Sequence, residues 1–169
     1  DFTLGDNYWP RRRAMYWWSN FDEAEVCDEF AIIKDIGMNV VRIFLLWDDF
    51  QPEPTSVSPA AIDNLVKVAD AAADLGLGLD VTFFTGHMSG PNWSPRWLLG
   101  GDLPPKAHQG WLRDIVSAGT STDRGYRNMF HDEMALNASR LLLKTVVNTL
   151  KDHPGIWMWN LGNEPDLFA

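Results

Sequence analysis

Three times along this chain, a helical period of apolar residues runs into a glycine and then into a short apolar run. The glycines are Gly37, Gly76 and Gly155, and the runs that follow are 39–47, 77–84 and 156–161. A strand buried on both faces reads as a continuous apolar run, so its alternation with helical periods marks a parallel α/β sheet. The predicted helices cover about 22–36, 58–75 and 132–151. In the first, Val26, Phe30, Ile33 and Ile36 share a face, acidic residues fill the first turn, and Gly37 is the C′ residue. The second opens with Ser58 as N-cap and Pro59 at the first helical position. Its inward face is Ile62, Leu65, Val66, Ala69, Ala72 and Ala73. The third buries Leu141, Leu142, Val146 and Leu150, and His153-Pro154-Gly155 breaks it. A further strand candidate lies at 2–9. The interval before the last strand is twice the one before it, and the excess falls at 85–131, rich in Gly, Pro, Ser and Trp. A structureless connection of this length is read as a functional loop. It leaves the carboxyl end of a strand, where parallel α/β folds place their sites.

The length of 169 residues points to one domain. A complete eight-stranded (β/α) barrel needs about 250 residues, so a barrel-like pattern here is only part of one. The net charge of −9 argues against nucleic acid, which requires a basic face. No apolar run reaches the roughly 18 residues of a membrane-spanning helix. The single cysteine, Cys27, excludes an internal disulfide framework and a Cys-rich zinc site. The four histidines lack the spacing of H-E-x-x-H, so no metal is expected. Asp1 is not followed by a basic-then-apolar leader, so no signal peptide is expected, and the compartment is left open.

Candidate chemistry gathers at the strand ends. Glu164 stands just past the last apolar run, in Trp159-Asn160-Leu161-Gly162-Asn163-Glu164-Pro165-Asp166. Pro165 is expected to hold Glu164 extended and fix its direction, and Asn163 beside it can hold a substrate hydroxyl. The plainer alternative is a solvated Glu in a turn. Arg42 interrupts an apolar strand and needs a partner. It either anchors a buried ion pair or orients a functional carboxylate and lowers its pKa. His87, in the run 86–93 after the third strand, is a ligand, a proton carrier, a substrate hydrogen-bonder or a structural histidine. Ser89 does not hold the third position of G-x-S-x-G. Trp9, Trp17, Trp18, Trp47, Trp93, Trp97 and Trp159 fall at or just past predicted strand ends. As a group they favour a carbohydrate, because an indole offers a broad face to a sugar ring and an N–H beside it. Asp48, Asp49, Glu53 and Asp80 lie near the same ends; Asp48 or Asp49 could bind a hydroxyl, though a solvated loop charge is the simpler reading.

Asn39-Val40-Val41-Arg42, Gly86-His87 and Asn163-Glu164-Pro165, in that order, resemble a glycoside hydrolase of clan A, family 5, the group of cellulases, mannanases and β-mannosidases. The opening run 5–10 and the stretch 44–54 resemble it too, and 85–93 is similar to its exo-acting, β-mannosidase-like subgroup. The resemblance spans essentially the whole chain. It implies an α/β fold of TIM-barrel type, with about four parallel strands and three helices. Residues 1–169 would be the N-terminal half of a (β/α)8 catalytic domain with a long third βα loop at about 85–131. It implies a retaining β-glycosidase acting on β-linked glucosides or mannosides, with Glu164 as general acid/base and no cofactor. Asn163 would bond the sugar 2-hydroxyl, Arg42 the nucleophilic carboxylate, and His87 would line the reacting sugar's subsite. Trp9, Trp47 and Trp93 would be platforms by position. The partner is an oligosaccharide or polysaccharide, with no nucleic acid and no membrane. The family's nucleophile is a second Glu on the seventh strand, and retention needs two carboxyls about 5–5.5 Å apart; this chain carries no matching second motif. A fragment of a longer enzyme is the favoured account. A non-catalytic carbohydrate-binding or structural half-barrel is the alternative, self-associating through open sheet edges. A metal-dependent hydrolase built on His87 and Asp80 is a third.

Overall fold

A computed structural model describes residues 2–88, 90–100, 115–122, 124–125 and 127–165. The expectations that touched Ser89, His108 and Asp166 lie outside these residues. In chain order the elements are β1 (Gly5–Asn7), α1 (Glu23–Asp35), β2 (Val40–Phe44), α2 (Trp47–Phe50), α3 (Pro59–Asp74) and β3 (Gly78–Phe84). Then come β4 (Asn92–Trp93), β5 (Ile115–Ser117), β6 (Thr120–Thr122), α4 (Glu133–Leu150) and β7 (Ile156–Gly162). The three long helices begin where a side chain can satisfy a free backbone N–H: Asp22, Ser58 and Asp132 accept from Glu25, Ala61 and Ala135. Gly76 closes α3 at φ 63°, a left-handed turn that a Cβ would strain.

The strands β1-β2-β3-β7 form one sheet in that order, every pair parallel. With α1, α3 and α4 between successive strands, this is half of a (β/α)8 barrel. Register gives the sheet two different faces. Val41, Ile43, Leu79, Val81 and Phe83 alternate onto an apolar face and pack with Phe30, Leu65, Ala69, Leu142 and Val146 of the helices. Arg42 pairs with Asp80 on the other face, and Thr82 with Asn160. That face, the interior of the half-barrel, carries the polar side chains. Gly155, at the turn into β7, allows a close approach: a Cβ there would lie 2.3 Å from the Ala69 carbonyl oxygen. Gly155→Ala is expected to destabilise the fold by about 1–3 kcal/mol, read as a lower denaturation midpoint.

Several expectations change in three dimensions. The first strand is three residues, Gly5–Asn7, not 2–9. β2 stops at Phe44, and Trp47 opens a short helix instead of ending the strand, with its indole Nε1 donating to Gln51 Oε1 at 2.7 Å. Ile36 is exposed, because it caps α1 one turn beyond the helix's contact with the sheet. On α3, Ala61, Val68 and Ala71 are buried, while Ile62, Val66 and Ala73 are half-buried; alanine lets that face pack closely. The stretch 85–131 is not structureless: β4, β5 and β6 make a small sheet of their own. β7 reads as a buried strand, yet Trp157, Met158 and Leu161 are exposed, because β7 is an edge of the described sheet.

Candidate active site

The candidate residues converge at the carboxyl ends of β2, β3 and β7. Asn163 is the hub. Its backbone N–H donates to the Phe84 carbonyl at 3.4 Å, which ties the end of β7 to β3. Its Oδ1 accepts from Arg42 Nη2 at 3.2 Å, while its Nδ2 donates to the His87 carbonyl at 2.8 Å and to Glu164 Oε2 at 3.3 Å. An acceptor facing a guanidinium and a donor facing two oxygens fix the amide in one orientation.

Arg42 is held from three sides. Its Nε donates to Thr82 Oγ1 at 2.8 Å, Asp80 Oδ2 lies 3.9 Å away, and the guanidinium sits 4.7 Å from the centre of the Phe44 ring. Burial pushes the Asp80 carboxyl above the usual carboxylate range, and the Arg42 charge offsets only part of that rise. Arg42 therefore both anchors an ion pair and positions Asn163.

His87 is buried, and its Nδ1 lies 2.8 Å from Asn92 Oδ1. An amide oxygen can only accept, so Nδ1 carries the hydrogen. Nε2 then faces Glu164 Oε2, 3.9 Å away. The Glu164 side chain is 54% exposed, so one side meets the protein and the other is open to a ligand. Its backbone is not extended. At φ 45° it occupies the left-handed region, against the extended preference that Pro165 imposes on the residue before it. That conformation costs about 1–3 kcal/mol in a non-glycine residue, and such strain collects at functional sites.

The tryptophans separate by burial. Trp9 is half-buried, with its ring 5.9 Å from that of Phe44. Trp47 is buried, edge-on to Phe84 and Trp97. Trp93 is buried against Tyr16. An apolar cavity of about 260 Å³, lined by Met129, Phe130, Leu161 and Pro165 among others, adjoins Asn163. The sequence reading missed Thr82 and Asn92. Asn92 lay within the run already singled out, but only tertiary contact shows that it faces His87.

Asp49, half-buried on α2, is pushed up to about 6 by burial and then by the charge of Asp48. The folded state holds its proton more tightly than the unfolded chain, whose carboxyl titrates near 3.8. Its ionisation therefore costs stability progressively as pH rises from about 4 to 6, and the full cost persists above that. Asp49→Asn is expected to stabilise the protein by on the order of 2 kcal/mol at pH 8 and to leave it unchanged at pH 3. Denaturant midpoints at the two pH values check this.

Neither a family model nor a curated protein matches the sequence. Solved structures do. The chain is similar to GH5_18 from Streptomyces cattleya, solved in complex with GlcNAc, with 28% identity and a TM-score of 0.80 over 99% of this chain and 35% of that one. A structure of the same protein as a Glu→Ala variant holds Manβ1-4GlcNAc. The exo-β-1,4-mannosidase Op5Man5 from Opitutaceae bacterium strain TAV5 gives 25% identity and a TM-score of 0.77, over 97% of this chain and 25% of that one. The endoglucanase Cel5A of Pseudomonas stutzeri, at 16% identity, shares the fold alone. Fold and neighbours define the class as the clan A glycoside hydrolase barrel. Within it, the chain is glycoside hydrolase family 5-like. It spans about a third of the length of the GH5_18 structures that it matches.

Proposed function

We propose that this chain is the acid/base-bearing part of a retaining exo-β-mannosidase that cleaves β-linked mannosyl disaccharides such as Manβ1-4GlcNAc. The observation that carries the reading is the Glu164 carboxyl, open on one side and bonded on the other by Asn163, with His87 Nε2 3.9 Å away. Glu164 protonates the leaving glycosidic oxygen, then takes a proton from the water that completes hydrolysis. One carboxyl does both jobs, because the first step leaves it ionised as the second requires. His87 Nε2 faces that carboxyl throughout.

Asn163 exchanges its long 3.3 Å contact with Glu164 for the sugar 2-hydroxyl and keeps its bonds to Arg42 and the His87 carbonyl. Of the three tryptophans expected as platforms, Trp9 keeps an open side and is the one that can stack on a sugar, whereas Trp47 and Trp93 are buried and serve packing. The second carboxylate that retention requires comes from the remainder of the full-length protein, on the side that Arg42 faces. The open edges at β1 and β7 are where that remainder closes the sheet.

The test is the full-length protein on Manβ1-4GlcNAc, with the anomer released followed by NMR. Release of β-mannose as the first product supports the reading. Release of α-mannose, or no hydrolysis of any β-mannoside, overturns it.

A further inference from the structure

We infer that Asn92 is a positioning residue for Glu164: it fixes the tautomer of His87, so that a bare imidazole nitrogen and not an N–H faces the Glu164 carboxyl. The inference rests on the reading of Glu164 as the general acid/base.

Asn92 and His87 are both buried, at 4% and 3% exposure, and their backbones meet in an antiparallel bridge. The Trp93 N–H donates to the Gly86 carbonyl at 2.8 Å, which ties the two ends of the run 86–93 together. On the other side β4 pairs with β5, with Asn92 opposite Ile115 and Trp93 opposite Val116. The Ser94 N–H extends that pairing, donating to the Val116 carbonyl at 3.0 Å. The small sheet therefore clamps the Asn92 backbone from two sides and delivers its Oδ1 to His87 Nδ1 at 2.8 Å.

A neutral imidazole carries one hydrogen, and the amide oxygen claims it for Nδ1. Neither group is open to water, so the pairing has to be met within the protein. Nε2 is left bare, 3.9 Å from Glu164 Oε2. Contacts of this kind are often long before substrate arrives and tighten in the complex. Oε2 is also the oxygen that Asn163 bonds at 3.3 Å and releases when its amide turns to the sugar.

A bare Nε2 can accept from Oε2 when the carboxyl is protonated, and has no hydrogen to offer it when ionised. The form that His87 accommodates is thus the acid that the first step needs. As the glycosidic C–O bond breaks, the Glu164 proton passes to the leaving oxygen. The carboxylate left behind gains no N–H bond that would weaken it as the base of the second step. With the hydrogen on Nε2 the preference reverses, because an N–H bonds the carboxylate and holds back the acid.

The full-length protein labelled with ¹⁵N-histidine gives the first test, without any substitution: near neutral pH the His87 ring should show a protonated Nδ1 and a bare Nε2. Asn92→Asp keeps the shape but sets a carboxylate against Nδ1–H, which favours the imidazolium, so both nitrogens should then carry hydrogen. In that variant kcat/KM, which reports the bond-breaking step, should fall about tenfold or more on Manβ1-4GlcNAc. It should fall far less on an aryl mannoside whose leaving group has a low pKa. A residue that only supported the fold would lower both alike and leave the ring's protonation as in the parent. The inference is overturned if Nε2 carries hydrogen in the parent or if Asn92→Asp leaves the His87 signals unchanged. It is also overturned if the protonation changes while the two substrates lose equally or not at all. A full-length protein that hydrolyses no β-mannoside defeats the reading of Glu164 instead, and the parent spectrum still decides whether Asn92 orients His87.

Discussion

Glu164→Gln in the full-length protein is expected to lower turnover of Manβ1-4GlcNAc by about 10²–10⁴-fold, the usual contribution of a positioned general acid/base. Glutamine keeps the shape and can still bond Asn163 and face His87, so substrate binding should change little. The loss should depend on the leaving group. A sugar leaving group needs its oxygen protonated as the bond breaks, whereas an aryl leaving group of low pKa departs with little help. With such an aryl mannoside, formation of the glycosyl-enzyme should survive and its hydrolysis should become limiting, because no base activates the water. Azide, which attacks without a base, should then restore turnover and yield the mannosyl azide. Equal losses on both substrates, without azide rescue, would mean that Glu164 serves the structure and not proton transfer.

Arg42→Met should be the most damaging substitution inside the half-barrel. It removes the bond to Thr82, the charge facing Asp80 and the anchor of Asn163 in one change. Removing one partner of a fully buried ion pair costs about 3–5 kcal/mol. Here the side chains are 24% and 16% exposed, so solvent lowers the expectation to about 2–3 kcal/mol. Adding Asp80→Asn should recover part of that stability, because it removes the carboxylate left alone. It should not recover turnover, because Asn163 still lacks its anchor. Denaturation midpoints and turnover of the parent, of Arg42→Met and Asp80→Asn alone, and of the double variant separate the two roles. If the double variant is no more stable than Arg42→Met, Asp80 is not what makes Arg42 costly to lose.

Much of this was already legible in the residues. The helix starts are local chemistry: a side-chain oxygen at Asp22, Ser58 or Asp132 reaches a backbone N–H three residues on, wherever the rest of the chain lies. The alternation of helical periods with apolar runs required a parallel sheet, because no other arrangement buries both patterns. Arg42 within its apolar run, and His87 and Asn163-Glu164 just past theirs, pointed to one end of that sheet. Local rules stop there. Arg42 meets Asn163 across 121 positions of sequence, and Asn163 meets the His87 carbonyl across 76; sheet order and register bring them together. Burial was equally out of reach. Trp47 and Trp9 both follow strands, but α2 folds Trp47 into the core while Trp9 keeps an open side. The left-handed backbone at Glu164 ran against the local preference before proline, and the contacts around its side chain accompany it. Local chemistry along the chain sets the three long helices with their caps, the central strands and the groups available near the strand ends. Only the tertiary structure decided which of those groups touch, because hydrogen bonds and burial depend on distances that chain spacing does not set.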